Sequence, residues 1–185
     1  MKKDLDDYLE LIQSEGIRNF VKTALAAAPP EFWIAPASSS GKYHPPEDNM
    51  EGGLVIHSRK AVRVAIALCR FFGIEDGLMK DMVIAAAVLH DIKKSGDPWD
   101  NHMHPEHGLI AYNWLMQFAD NDPNLLGICG LVKDHVGIWN KPKSTPALTI
   151  GKQVDRFALC SLIVQLADYW ASQKWCPFIC DNFAE

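Results

Sequence analysis

A helix that has no polar face is the strongest constraint that this sequence places on its fold. An unbroken apolar run extends from Val83 to Leu89 and is followed directly by His90 and Asp91. A helix that is apolar on every side is normally the central one of a domain, because only neighbouring helices can cover all of its faces. The run therefore predicts a buried central helix that ends in an imidazole beside a carboxylate.

The rest of the chain reads as helices joined by loops. Apolar residues recur at helical spacing, and the helices that this spacing predicts cover residues 4–14, 17–28, 54–72, 76–90, 106–119, 124–136 and 150–172. Residues 31–53 are rich in Pro, Gly, Ser and Asn and predict a long loop. No segment shows the alternation of a half-buried strand. We therefore expect an all-α fold of six or seven helices packed around the buried one.

The length and composition fit one compact domain. With 185 residues, 48% of them hydrophobic, the chain can bury a sizeable core. We expect a single domain over 1–185, with N-terminal helices and a long loop in 1–52, a helical core in 53–172 and a tail in 173–185. The net charge of −5 argues against a protein that binds long nucleic acid through a basic face.

The sequence predicts a cytoplasmic protein. No apolar run approaches the ~20 residues of a membrane span, and the N-terminus has no pattern typical of a signal peptide. The five cysteines form no CxxC pair, which favours reduced, buried thiols. The composition is compatible with a homodimer and does not require one.

Side chains that bind metals recur on core-forming segments. Asp168 stands among Leu166, Ala167 and Trp170, where a carboxylate is costly unless it is paired or metal-bound. Imidazole and carboxylate donors together suit a transition metal. The candidate ligands are His57, His90, Asp91, His104, His135 and Asp168.

The order of these residues resembles the signature of the HD superfamily of metal-dependent phosphohydrolases, which is His, then His-Asp, then Asp. The signature falls on His57, on His90 with Asp91, and on Asp168, in the contexts GGLVIHS, AAAVLHDIKK and QLADY. The resemblance runs from roughly Gly52 to Trp170 and implies an HD-type helical bundle. Lys94 stands at the lysine position of an HDxxK pattern.

Two further matches resemble the members of this superfamily that bind two metals. His104 opens the segment HPEHG, and His135 lies in KDHVGIW. The resemblance implies that one ion is held by the signature residues and that Asp91 bridges to a second ion, held by His104 and His135. Fe, Mn, Co, Ni or Zn are the divalent transition metals expected. His107 is the main alternative to His104, because the register of this short segment is ambiguous.

The activity that the resemblance implies is hydrolysis of a phosphoester or phosphoanhydride by metal-activated water. The expected substrate is small and phosphorylated, a nucleotide or short oligonucleotide. Asp91 and Lys94 would be the catalytic residues, since Lys94 can neutralise phosphoryl oxygens. The residues expected to bind substrate are Lys94, Trp139, Lys141 and Lys143.

Two other interpretations stay open. The chain could be a catalytically silent module of the same fold that senses or binds a nucleotide, or a structural helical protein whose histidines are incidental. His44, in a proline-rich loop, is expected at the surface.

Overall fold

The computed structural model describes residues 5–38, 41–42, 44–75, 77–137 and 155–175, and this part of the chain holds eight α-helices and no strand. The prediction of an all-α fold is therefore confirmed. Two 3₁₀ turns, Pro46–Asn49 and Met116–Phe118, complete the regular structure. In chain order the helices are α1 (Asp6–Leu9), α2 (Glu15–Ala26), α3 (Pro30–Ile34), α4 (Gly53–Phe71), α5 (Gly77–Leu89), α6 (His107–Leu115), α7 (Pro123–Asp134) and α8 (Arg156–Ala171).

The central helix is α5, as its composition predicts. Every residue from Asp81 to Leu89 is buried, and α5 contacts α2, α4, α7 and α8. Burying each large apolar side chain contributes about 1.5–3 kcal/mol relative to leaving it exposed. Around this helix, α4 packs along α8 and α6 packs along α7. The C-terminal end of α5 consequently lies inside the bundle. His90 and Asp91, which directly follow it, are buried there.

The structure differs from the predicted pattern mainly in the N-terminal part. Residues 4–14 were expected as one helix, but α1 covers only Asp6–Leu9, while Ile12 is still fully buried beyond its end. The predicted loop over 31–53 contains α3 and a 3₁₀ turn, because Phe32 is fully buried and fixes the chain there. A short helix held by one or two buried residues has too few apolar positions to show a clear helical period, so the sequence pattern does not predict it.

Side-chain caps explain where several helices begin. Ser14 accepts a hydrogen bond from the backbone of Ile17 at the start of α2. Asp122 and Asp155 cap α7 and α8 in the same way. Such caps satisfy amides that the first helical turn leaves without a partner. Among the described residues, no helix is both long enough and apolar enough to cross a membrane.

Two glycines allow backbones to approach more closely than any side chain would permit. A Cβ on Gly53 would lie 1.9 Å from the carbonyl oxygen of Asp48, where the 3₁₀ turn Pro46–Asn49 meets α4. A Cβ on Gly108 would lie 2.6 Å from the carbonyl oxygen of Lys133, where α6 meets α7. Gly53 therefore lies at a close contact at the start of the helix that carries His57, and Gly108 lies between the helices next to His107 and His135.

Replacing Gly108 with Ala should destabilise the protein by about 1–3 kcal/mol, because α6 must move away from α7 to make room for the new methyl group. Chemical denaturation measures this loss. Gly16→Ala is the matched control, since nothing lies within 4 Å of the Cβ it would add in α2; it should be neutral or slightly stabilising. Equal stability of the two variants would show that the α6–α7 approach is not tight.

Candidate metal centre

Six polar side chains from five helices converge at the inner end of α5. His57 comes from the second turn of α4, and His90 and Asp91 directly follow α5. The other three are placed by α6, α7 and α8. The members are His57, His90, Asp91, His107, His135 and Asp168, and all except the partly exposed Asp168 are buried.

The first donor group lies between α4, α5 and α8. Nε2 of His57 is 2.9 Å from Oδ1 of Asp168 and 3.3 Å from Nε2 of His90. Oδ2 of Asp91 is 3.4 Å from Nε2 of His90 and 3.7 Å from Nε2 of His57. The four residues of the predicted signature thus offer two nitrogen and two oxygen atoms to one point.

The second donor group lies between α5, α6 and α7. Nε2 of His107 is 3.0 Å from Nε2 of His135 and 3.1 Å from Oδ1 of Asp91. Nε2 of His135 is 3.8 Å from the same carboxylate oxygen. Asp91 therefore turns one oxygen toward each group, which is the arrangement of a carboxylate that bridges two sites.

Three of the histidine rings use Nδ1 for a hydrogen bond to the main chain, which leaves Nε2 as the atom that can bind a metal. Nδ1 of His90 donates a hydrogen bond to the carbonyl of Ala87 at 2.8 Å, and Nδ1 of His135 donates to the carbonyl of Val132 at 2.6 Å. Nδ1 of His107 donates to the carbonyl of His104, also at 2.6 Å. Main-chain contacts of this type hold the tautomer that leaves the Nε2 lone pair for a metal.

Burial and the two carboxylates set the protonation of the site. Burial lowers the pKa of His57 to about 4 and also lowers the pKa of His135, so both rings are neutral. Burial acts on His90 in the same direction, but Asp91 and Asp168 outweigh it and raise the pKa of His90 to about 10. A metal ion that binds here must therefore displace the proton of His90.

The carboxylates themselves are ionised. Burial alone would raise the pKa of Asp91, yet the Lys94 ammonium and His90 hold it well below the ordinary value. Burial opposes ionisation of Asp168 too, and the imidazoles of His57 and His90 lower its pKa in the same way. Neutral imidazoles and ionised carboxylates are the forms that bind metal.

The residues present fit two divalent transition-metal ions. Donor atoms bound at about 2.0–2.2 Å to one metal lie roughly 3 Å apart at right angles, and the separations between the facing atoms are 2.9–3.8 Å in both groups. The mixed nitrogen and oxygen donors favour Fe, Mn, Co, Ni or Zn over Mg or Ca. The first group would hold one ion and the second group the other.

The structure does not bring His104 into the donor groups, and His107 takes the place expected for it. The ring of His104 points away, with Nε2 at 3.0 Å from Asp100 and 30% of the side chain exposed. Pro105 and Glu106 turn the chain between the two histidines, so the first turn of α6 directs His107 onto Asp91. His104 contributes its backbone carbonyl instead. The sequence left the choice open because both histidines lie in the short segment HPEHG, whose register is ambiguous.

Mutating the two histidines separately should separate their roles. His107→Ala removes a donor of the second group, so the protein should bind one ion instead of two. His104→Ala should retain both ions, because its ring bonds Asp100 outside the groups. Metal content per chain, measured by inductively coupled plasma mass spectrometry after reconstitution, gives the answer. Loss of an ion from His104→Ala with retention in His107→Ala would reverse the assignment.

A pocket of about 780 Å³ opens over both donor groups. Its floor contains Asp91 and Asp168, and Leu166 and Tyr169 of α8 form part of an apolar wall. Lys94 also lines the pocket, with Nζ at 2.6 Å from Oδ2 of Asp91. A positive charge thus lies beside the proposed metal ions and faces the space that a substrate would fill.

The other residues expected to bind substrate cannot be placed. Trp139, Lys141 and Lys143 lie outside the described residues. Their proposed contacts with substrate stay predictions from the sequence.

Two residues near the site were not found from the sequence. His44, expected at the surface, keeps only 12% of its side chain exposed, lines the pocket and packs edge-on against His57 with ring centroids 4.9 Å apart. Asp48 is fully buried beside both rings. Burial would raise the pKa of Asp48, but His44 and Lys60 lower it below the ordinary value. A loop rich in proline and glycine gives no periodic signal that would mark either residue as buried.

The comparison with known families agrees with this geometry. A family model described as "HD domain" matches residues 54–172, more than half of the chain, and the six converging residues lie within that range. The chain therefore belongs to the HD-domain family. A search of curated proteins and a search of solved structures each returned no match.

Proposed function

We propose that the protein is a metal-dependent phosphohydrolase that cleaves a phosphoester or phosphoanhydride bond of a nucleotide or short oligonucleotide. The observation that carries the proposal is the division of one carboxylate between two groups of imidazole donors. Nε2 of His107 faces Oδ1 of Asp91, and Nε2 of His90 faces Oδ2. A pair of divalent ions held in this way would supply a nucleophile from water at neutral pH and charge to stabilise the transition state.

The chain's own residues have distinct tasks in this proposal. His57, His90 and Asp168 would hold one ion, His107 and His135 would hold the other, and Asp91 would be a ligand shared by both groups. Lys94 neutralises the phosphoryl oxygens as negative charge builds on them. The apolar wall that includes Leu166 and Tyr169 excludes water and accepts the organic part of the substrate.

The completeness of the set supports hydrolysis over a silent nucleotide sensor. Both donor groups are intact, and Lys94 faces the pocket beside them. A module that only binds nucleotide would not require a second group of donors at the other oxygen of Asp91. Trp139, Lys141 and Lys143 are proposed to bind the rest of the substrate.

The test is hydrolysis by protein reconstituted with Mn²⁺, Co²⁺, Ni²⁺, Zn²⁺ or Fe²⁺, assayed on a panel of nucleotides and on p-nitrophenyl phosphate and its bis ester. The wild type should turn over at least one of these, and a chelator should stop the reaction. His90→Ala should have no activity above background. His102→Ala is the control, because that ring is 83% exposed and lies outside the donor groups. Wild-type turnover by His90→Ala would reject the proposal.

A further inference from the structure

Among the four histidines proposed as ligands, His57 differs from the other three in the contacts of Nδ1, the ring nitrogen that does not face the metal site. His90, His107 and His135 lie at helix ends, where each finds a main-chain carbonyl three residues earlier. His57 lies within α4, where helical hydrogen bonds use the nearby carbonyls, and the hydroxyl of Ser58 also donates to Leu54. Among the described residues, Nδ1 of His57 is buried and has no hydrogen-bond partner.

The carboxylate of Asp48, which lies close to His57, is an acceptor of suitable chemistry. Its Oδ1 accepts a hydrogen bond from Lys60 at 2.7 Å, whereas its buried Oδ2 accepts no hydrogen bond within the described part of the chain and has Nδ1 of His44 3.5 Å away. One donor atom each from His44, Asp48 and His57 lie within 4.8 Å of one another. Because Nε2 of His57 faces Asp168, its Nδ1 is the nitrogen on the Asp48 side.

The local structure holds this carboxylate in a fixed position. The backbone carbonyl of Asp48 accepts a hydrogen bond from Ala37 at 2.8 Å, and the missing side chain of Gly53 lets the turn lie directly against α4. Lys60 stands one helical turn after His57 on α4, so its ammonium reaches the same carboxylate from the helix.

We propose that Asp48 is a positioning residue for the metal centre. Its Oδ2 accepts the Nδ1 proton of His57, directly or through one bridging water, and so presents an unprotonated Nε2 to the ion of the first donor group. A carboxylate behind a ligand histidine fixes the ring and makes it a stronger donor. The inference rests on the proposed metal centre and concerns only the ion that His57 would bind.

A competing possibility is a third cation held by His44, Asp48 and His57. Asp48 is the one carboxylate in this group, and the Lys60 ammonium, 2.7 Å away, already neutralises it. With Nε2 of His57 on the first ion, a cation there would also require the neutral ring to give up its one remaining N–H proton. Neither difficulty arises if Asp48 only accepts a hydrogen bond from His57.

The test compares Asp48→Asn with Asp81→Asn. Asp81 is the matched control, because it is also a buried aspartate and its carboxylate accepts from the backbone of Ser14, away from the donor groups. Full-length protein is titrated with Co²⁺ against a competing chelator, and absorption of the bound ion reports each site. Asp48→Asn should weaken binding of the ion in the first donor group by about 10–100-fold and leave the affinity of the second donor group unchanged. Asp81→Asn should bind both ions as the wild type does.

A second pair of variants keeps the test decisive if Asp48→Asn fails to fold. Asp48→Asn combined with Lys60→Met removes both buried charges together. This double variant should show the same loss of Co²⁺ affinity at the first donor group. Lys60→Met alone should retain wild-type affinity, since the Asp48 carboxylate remains.

The other outcomes are distinct. Wild-type affinity for both ions in the Asp48 variants would overturn the positioning role and leave the metal centre intact. A third equivalent of Co²⁺ in the wild type that His44→Ala removes would replace it with a cation site. A wild type that binds no Co²⁺ would overturn both the centre and this inference.

Discussion

Asp91→Ala should bind neither metal ion and should have no hydrolytic activity above background. The reason is that Oδ2 of Asp91 faces the first donor group and Oδ1 faces the second, so one substitution removes a ligand from each. It also removes the negative charge that balances Lys94, at 2.6 Å. Metal content per chain and turnover of p-nitrophenyl phosphate measure the two effects together.

A variant that changes one donor group and a variant that changes neither make this prediction specific. His135→Ala should lose one ion and keep the other, and Asp97→Ala should keep both, because that half-exposed carboxylate pairs with Lys93 and lies outside the donor groups. If Asp91→Ala retained one tightly bound ion, Asp91 would belong to a single site and the bridging arrangement would be wrong.

Lys94→Ala should lower kcat about 10²-fold while metal content stays at the wild-type value. Lys94 lines the pocket, and its charge would act on phosphoryl oxygens that gain negative charge in the transition state. The measurement is steady-state kinetics on the best substrate of the panel, together with metal analysis of the same preparation.

The neighbouring lysine provides a control for Lys94. Nζ of Lys93 bonds Asp97 at 3.0 Å and lies over the ring of Trp114, away from the pocket. Lys93→Ala should therefore reduce stability and leave kcat unchanged. Loss of metal in Lys94→Ala would show that Lys94 supports the ligands rather than the transition state. An unchanged kcat would remove it from the reaction altogether.

The sequence predicted those parts of the structure that depend on local composition. The apolar run before His90 can be buried only in the middle of a bundle, and α5 is found there. His57 and Asp168 could be recognised because each directly follows apolar residues within a helix and also matches a family pattern. All four signature residues lie together in the first donor group.

The parts that the sequence did not predict depend on contacts between distant segments. The choice between His104 and His107 follows from the hydrogen bond of the His104 backbone amide to the carbonyl of Lys94 and from the close approach of α6 to α7 at Gly108. Asp48 becomes buried only because the 3₁₀ turn packs on α4 and Lys60 reaches it. Neither relation has a periodic signal in the chain, so only the three-dimensional arrangement shows them.

The most direct test of the account is the metal content of the wild-type protein, purified without chelator and then reconstituted. The two donor groups that share Asp91 predict two equivalents of a divalent transition metal per chain, falling to one in His107→Ala and to none in Asp91→Ala. Less than about 0.1 equivalent of any such metal in folded wild-type protein would contradict the account, because two ionised carboxylates and four histidines in this geometry should bind a divalent ion that is supplied to them.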